Sequence, residues 1–354
     1  MKIGLIGMGK LGYCLAAVLG TKYEVVGVDK IEPLIPEEPM LREYLEKSNL
    51  KIGNYKDLRG CEVIFCVVPT PSKKDGKFSD KHIKEAIKLA KPYMGKCKLF
   101  NVVSTVMPGT CEKLKKLLPK TTAITYNPEF IALGNIIKGM INPDFVLIGG
   151  DNSGDLLEEI YIELLGQVII KRMDLKSAEL AKISLNSYIT MKITFANILG
   201  QIGDKIGADA NKVCDAIGMD HRIGTSYLCP GSPYGGPCFP RDNRAFGQVC
   251  PDVKTFAEKT DFLNKQQICR WVDELKKDVD KEISIIGTSY KLGTKNTEES
   301  AALIIGELLK RWGAKVTYED FNNKTKIMVF CLPGYDGVKN YAKKNKIKVI
   351  DLWK

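Results

Sequence analysis

Short apolar runs separated by amphipathic stretches fill the first half of the chain. "KIGLIG", "YEVVGVD", "EVIFCVVP", "LFNVVS", "AITYNP" and "DFVLIGG" read as strands, and "DKHIKEAIKLAKPYM" and "GTCEKLKKLLP" as helices. The apolar runs are continuous rather than alternating, as expected of strands buried on both faces of a parallel sheet. From about Lys176 the pattern changes. "SAELAKISLNSYITMKITFANILGQIGDKIGAD" places apolar residues three and four apart without a proline, which predicts one long helix ending near Gly200, Gly203 and Gly207. Beyond it, "KEISIIGTSYKLGTKNTEESAALIIGELLKRWGAKVTYED" reads as strand, glycine turn, helix and strand. Two more strand candidates, "KIMVFCLP" and "KVIDLWK", follow. Strands alternating with helices at both ends predict an α/β protein with boundaries at 1–172, 173–276 and 277–354. A length of 354 residues agrees with more than one core.

Composition narrows the class. The chain is 44% hydrophobic and 27% charged, the profile of a soluble globular protein, and no apolar run approaches the ~20 residues of a membrane span. "KIGLIG" directly after Met1 leaves no room for a leader, which predicts a cytoplasmic location. Eleven cysteines without CxxC pairs argue for reduced thiols rather than a disulfide framework. With only His82 and His221 available, no metal site is expected, and both histidines read as surface residues. A net charge of +11 favours anionic partners. The lysines are dispersed and no basic stripe carries interleaved aromatics, so phosphorylated small molecules are favoured over nucleic acid.

The opening "GLIGMGKLG" supplies Gly7, Gly9 and Gly12 in G-x-G-x-x-G spacing between a strand and a helical run. In this fingerprint the first glycine allows a tight turn, the second admits a pyrophosphate and the third packs helix on strand. Asp29, at the end of the next strand, stands where a carboxylate would hold an adenosine ribose and repel a 2′-phosphate. NAD is therefore expected over NADP, with Lys30 the residue that argues the other way. The predicted fold is two Rossmann-like parallel-sheet domains joined by a long central helix and a helical middle region. Three further loops follow predicted strands: "VVPTPS" with Pro69, Thr70 and Pro71, "VVSTVMPGT" with Ser104 and Thr105, and "YNPEF" with Glu129. Ligands of open parallel sheets bind at such strand ends. The loop "PGSPYGGPCFPRDN" holds Cys238 among glycines and prolines, and "FPRDNRAF" after it can start a helix whose dipole would favour the thiolate.

In this order, together with "AELAK", "HRIG", "GTSYKLGTKNTEES" and "GAKVTYED", these motifs resemble the UDP-glucose/GDP-mannose dehydrogenases over nearly the whole chain. The resemblance implies a homodimer built on the long helix. It also implies NAD-dependent, four-electron oxidation of a nucleotide sugar, UDP-glucose or a similar UDP-hexose, at its primary alcohol. A UDP-N-acetylhexosamine, GDP-mannose, or a binder impaired in hydrolysis are the alternatives. A two-electron β-hydroxyacid dehydrogenase would share the glycine loop but needs no cysteine.

By the same resemblance Cys238 is the nucleophile that carries a thiohemiacetal and then a thioester. Lys182 and Asn186 hold the reacting oxygens, Asp242 orients water and lysine, and Thr105 and Glu129 position the water, with Glu129 as base. Cofactor contacts are implied for Gly7, Met8, Gly9, Lys10, Leu11, Gly12, Asp29, Lys30, Pro69, Thr70, Ser104, Thr105 and Arg241. Substrate contacts are implied for Phe130, Ile131, Lys182, Asn186, Tyr227, Gly231, Tyr234, Gly235 and Lys291, and for Arg222 lent across the dimer. The chain departs from the family pattern at four places. Leu133 replaces a second glutamate, Arg241 a lysine, and Glu298 the arginine of an Arg-Glu-Ser triplet. The region after Asp320 is short.

Overall fold

The apolar runs at the start of the chain become the centre of a parallel sheet. In the computed structural model, which describes residues 1–131, 134–322 and 324–353, the chain forms two compact units, Met1–Ile183 and Ser184–Lys354. Leu133 lies outside the described residues.

Among the described residues of the first unit, eight strands form one sheet. They are β1 (Lys2–Ile6), β2 (Glu24–Val28), β3 (Leu50–Gly53), β4 (Val63–Cys66), β5 (Leu99–Val102), β6 (Ala123–Tyr126), β7 (Val146–Gly149) and β8 (Ile170–Met173). Their spatial order is β3-β2-β1-β4-β5-β6-β7-β8. Neighbours pair in parallel except β6 and β7, which meet antiparallel at Tyr126 and Gly149. Every residue of β4 and β5 is buried, which accounts for their unbroken apolar runs. Helix Lys10–Gly20 packs Leu15, Val18 and Leu19 on one side of the sheet, where each buried side chain contributes ~1.5–3 kcal/mol. Helix Lys81–Ala90 packs Ile83 and Ile87 into a second cluster with Ile64 and Phe100. The reversal of strand order at β1 and β4 opens a crevice at their carboxyl ends, where doubly wound sheets bind nucleotides.

The predicted long helix is observed as Leu175–Ile206, and the division between the units falls within it. In the first unit its Ala178 fits against Gly149 and Tyr126, where Gly149 leaves no room for a side chain. One residue on, the buried Glu179 accepts from the backbone N–H of Gly109 at 2.5 Å and of Cys111 at 2.7 Å. Glu179 thereby caps helix Thr110–Lys115 with a carboxylate from a distant element.

The second unit holds both the helical middle and the C-terminal α/β segment. Strands β9 (Glu282–Ile286), β10 (Lys315–Tyr318), β11 (Thr325–Phe330) and β12 (Lys348–Asp351) form a parallel sheet ordered β10-β9-β11-β12. Helices Lys254–Leu275 and Ala301–Arg311 bury Trp271, Leu275, Ile305 and Leu309 against it. Among the described residues no helix is long and apolar enough to cross a membrane.

Candidate active site

The glycine loop of the first unit has the shape its sequence requires. Gly7 takes φ +100°, and a Cβ on Gly12 would collide with the Gly7 carbonyl oxygen. Helix Lys10–Gly20 starts at Gly9 with neither a capping side chain nor an acidic residue in its first turn. A Cβ on Gly9 would meet nothing within 4 Å. Bare helical N–H groups beside open space suit the pyrophosphate of a dinucleotide. Asp29 accepts from the Met8 N–H and the Lys30 N–H, both at 2.6 Å, so it fixes the loop while keeping acceptor capacity for ribose hydroxyls. The Lys30 ammonium pairs with Glu85 rather than standing beside Asp29 as an open phosphate-binding charge. Lys10 pairs with Glu38 at 2.9 Å, Met8 is buried against Gly27, and Leu11 packs on the core.

Two strand-end loops are tied to each other. Thr70, which is buried, donates to the Thr105 carbonyl at 2.7 Å, and Ser104 donates to the Val68 carbonyl at 2.7 Å. Pro69 is exposed beside them.

After β6 the chain enters a buried polar network. Asn127 Oδ1 accepts from Tyr161 at 2.6 Å, and its Nδ2 donates to the Leu147 carbonyl at 2.9 Å. Two residues further, Glu129 has its carboxyl pushed up to about 7 by burial, an effect the Lys182 ammonium partly opposes. Lys182 donates to the Glu129 carbonyl at 2.6 Å and lies 4.7 Å above the centre of the Phe130 ring. A carboxyl that titrates near neutrality beside an anchored ammonium can exchange protons at working pH and stabilise an oxyanion. Phe130 packs on Phe145 with ring centres 5.0 Å apart, and Ile131 packs over Gly139.

In the second unit, helix Phe239–Phe246 begins at Cys238, which is exposed and occupies the N-cap. The predicted helix start is thus observed. Asp242 is buried in the first turn and accepts from Asn186 Nδ2 at 2.6 Å. Arg241 Nε stands 3.6 Å from the other Asp242 oxygen. Lys182 and Asn186, four apart, share a face of the long helix. Asn243, also buried, donates to the Ala257 carbonyl at 2.9 Å and to Asp261 at 2.8 Å.

The loop before Cys238 is held by buried side chains and by close backbone contacts. Gly231 N–H donates to Asn197 at 2.8 Å, with Trp353 against its Cα. Tyr234 is buried, its hydroxyl donating to Asp261 at 2.5 Å and its N–H to Asn264 at 2.9 Å. A side chain on Gly235 would strike the Glu299 carbonyl, and one on Gly236, at φ +84°, would strike the Tyr290 ring. Tyr227 is exposed at φ +62° with its ring edge-on to Phe239 at 6.0 Å. Arg222 is exposed and pairs bidentately with Asp220, its Nη2 at 2.6 Å. Lys291 is exposed in the loop after β9. His82 and His221 sit at the surface, as expected. Asn243, Arg244, Asp261 and Glu299 brace the segments around Cys238 and Tyr234, and Glu179 caps the helix after the Thr105 loop; none gave a separate signal in the sequence. Each acts through a partner at least 14 positions away.

Seven cysteines are buried: Cys14, Cys61, Cys66, Cys97, Cys111, Cys214 and Cys331. Burial pushes Cys14, Cys66 and Cys97 up to about 12 and Cys61 to about 11.

Comparison with known proteins agrees with this geometry. Residues 1–165 match the NAD-binding domain of the UDP-glucose/GDP-mannose dehydrogenase family and residues 176–267 match its central domain. The chain is 31% identical to the UDP-glucose 6-dehydrogenase of Rickettsia bellii over 90% of its own length and 80% of that protein's. A UDP-glucose dehydrogenase structure from Pyrobaculum islandicum matches with TM-score 0.85 at 23% identity, covering 94% of this chain and 90% of that one. A UDP-D-ManNAc dehydrogenase structure from Pyrococcus horikoshii matches with TM-score 0.85 at 22% identity, covering 99% and 93%. With a cofactor loop that fits NAD and family matches across both units, the chain belongs to the UDP-glucose/GDP-mannose dehydrogenases, a family of NAD-dependent nucleotide-sugar dehydrogenases.

Proposed function

We propose that this chain oxidises the primary alcohol of UDP-glucose or a similar UDP-hexose to the carboxylate, through a covalent intermediate on Cys238. The observation that carries the reading is the exposed thiol at the start of helix Phe239–Phe246, whose first turn holds the Asp242–Asn186 hydrogen bond. NAD, held by Gly7, Gly9, Gly12 and Asp29, supplies the hydride acceptor, one equivalent for each of two oxidations.

The alcohol is first oxidised to an aldehyde, with Lys182 stabilising the alkoxide as its proton leaves. Cys238 Sγ then adds to the aldehyde carbon, forming a C–S bond, while the carbonyl oxygen takes a proton. Oxidation of this thiohemiacetal leaves a thioester. Glu129, ionised, takes a proton from water, which attacks the thioester carbon. The C–S bond breaks and the thiolate departs. One alcohol, two NAD and one water thus give one carboxylate, two NADH and three protons. The covalent link retains the aldehyde and divides a difficult oxidation into accessible steps.

The test is NADH formation with a panel of UDP- and GDP-sugars, including N-acetylated ones. Two NADH per sugar are expected with a UDP-hexose, and Cys238→Ala should abolish the second oxidation. No NADH with any sugar, or unchanged turnover in Cys238→Ala, would overturn the reading. We further propose a homodimer through the long helix, whose Leu185, Tyr188, Phe195, Ile202 and Ile206 are exposed in a stripe of helical spacing.

A further inference from the structure

Cys238 is bracketed by one short segment of the C-terminal α/β portion, and both brackets pass through Glu299. Downstream of the thiol, Arg244 forks onto Glu299, Nη1 to Oε1 at 2.7 Å and Nη2 to Oε2 at 2.9 Å. Upstream, the Gly236 N–H donates to the Glu298 carbonyl at 2.9 Å, and Gly235 packs directly on the Glu299 carbonyl. The same guanidinium reaches Asp261 through Nε at 3.1 Å, and Asp261 also accepts from Tyr234 and Asn243. Glu299 makes these contacts at φ +46°, a left-handed backbone costly for a residue with a Cβ. Glycine would take that conformation without strain. A glutamate held there forgoes backbone ease for its carboxylate. A bidentate fork fixes direction as well as distance, which a single ion pair does not.

We propose that Glu299 is a positioning residue for Cys238, fixing through Arg244 and its own carbonyl where the thiol stands for attack. The inference rests on the proposed reaction for its consequence, though not for its geometry. A displacement of about 1 Å at a reacting group can cost up to about a hundredfold in rate while binding stays intact. Loss of the fork should therefore lower kcat and leave KM nearly alone.

The experiment uses the full chain with Glu299→Gln, Glu299→Gly and Glu299→Asp. Alkylation of Cys238 by iodoacetamide is followed peptide by peptide across pH, with the exposed Cys269 as internal reference. Glu299→Gly relieves the backbone strain, so a folded variant is available even if Glu299→Gln is unstable. Expected are a change of at least about threefold in Cys238 alkylation and about tenfold lower kcat in Gln and Gly, KM within about twofold, and substantial recovery in Asp. The proposal fails if either Cys238 readout stays within about twofold of wild type in both variants, or if Cys269 shifts alongside. Absence of NADH from wild type with every nucleotide sugar would overturn the proposed reaction instead, and alkylation would still decide on Glu299.

Discussion

Glu129→Gln separates two consequences of one half-buried carboxyl. Its group titrates at about 7 in the fold against a usual 4.5, with burial the leading cause. Between those values the native chain keeps a proton that the unfolded chain sheds. The protonated carboxyl's contribution to stability is therefore present below about pH 4.5 and is lost as pH rises through about 7. At ~1.4 kcal/mol per unit, the gap corresponds to on the order of 3 kcal/mol. Glutamine keeps the shape and cannot ionise. Urea unfolding of both proteins from pH 5 to 8.5 should show the variant gaining on wild type across this window, by up to about 3 kcal/mol at the alkaline end. In activity the order reverses. Wild type should lose about tenfold in thioester hydrolysis per unit below pH 6, as the ionised fraction falls. The variant should instead accumulate sugar acyl on Cys238, visible by intact-mass spectrometry. A stability difference that does not change with pH, together with no acylated protein, would refute the argument.

Four further substitutions test other parts of the structure. Lys182→Met removes the charge that holds the Glu129 carboxyl down, so the acid limb of the pH–rate profile should move to higher pH, with kcat lower by about 10²-fold. Gly9→Ala has open space around it and should cost no more than about 1 kcal/mol of stability, yet weaken NADH binding at least about tenfold in a fluorescence titration. Gly12→Ala, blocked by the Gly7 carbonyl, should lower the melting temperature as well. Tyr188→Glu, at 55% exposure on the long helix, should convert a dimer to a monomer in light scattering; a monomeric wild type would remove the dimer proposal.

The legible parts of the fold were those whose physics is local. Buried strands such as β4 announce themselves because both faces are apolar. The edge strands β3 and β8, "LKIG" and "IKRM", are short, half-exposed and lysine-bearing, so nothing in their pattern marked them. The antiparallel meeting of β6 and β7 depends on how the chain returns and has no local signature. The same holds in the site. Cys238 and the glycine loop are visible because turns demand glycine and proline. The Arg244–Glu299 fork joins residues 55 positions apart, and Glu179 reaches back 70, distances over which sequence spacing carries no geometry.

The seven buried cysteines bear on selectivity of reaction. On the proposed reaction, an aldehyde formed within a protein of eleven thiols would have many potential captors. A thiol pushed up to about 12 exposes roughly one thiolate in 10⁵ at neutral pH, and a shielded one cannot meet the substrate at all. The hydrophobic core therefore acts as a protecting group for seven of the eleven sulfurs, and narrows the field in which the proposed nucleophile, the thiol at the mouth of a helix, would compete for an electrophile.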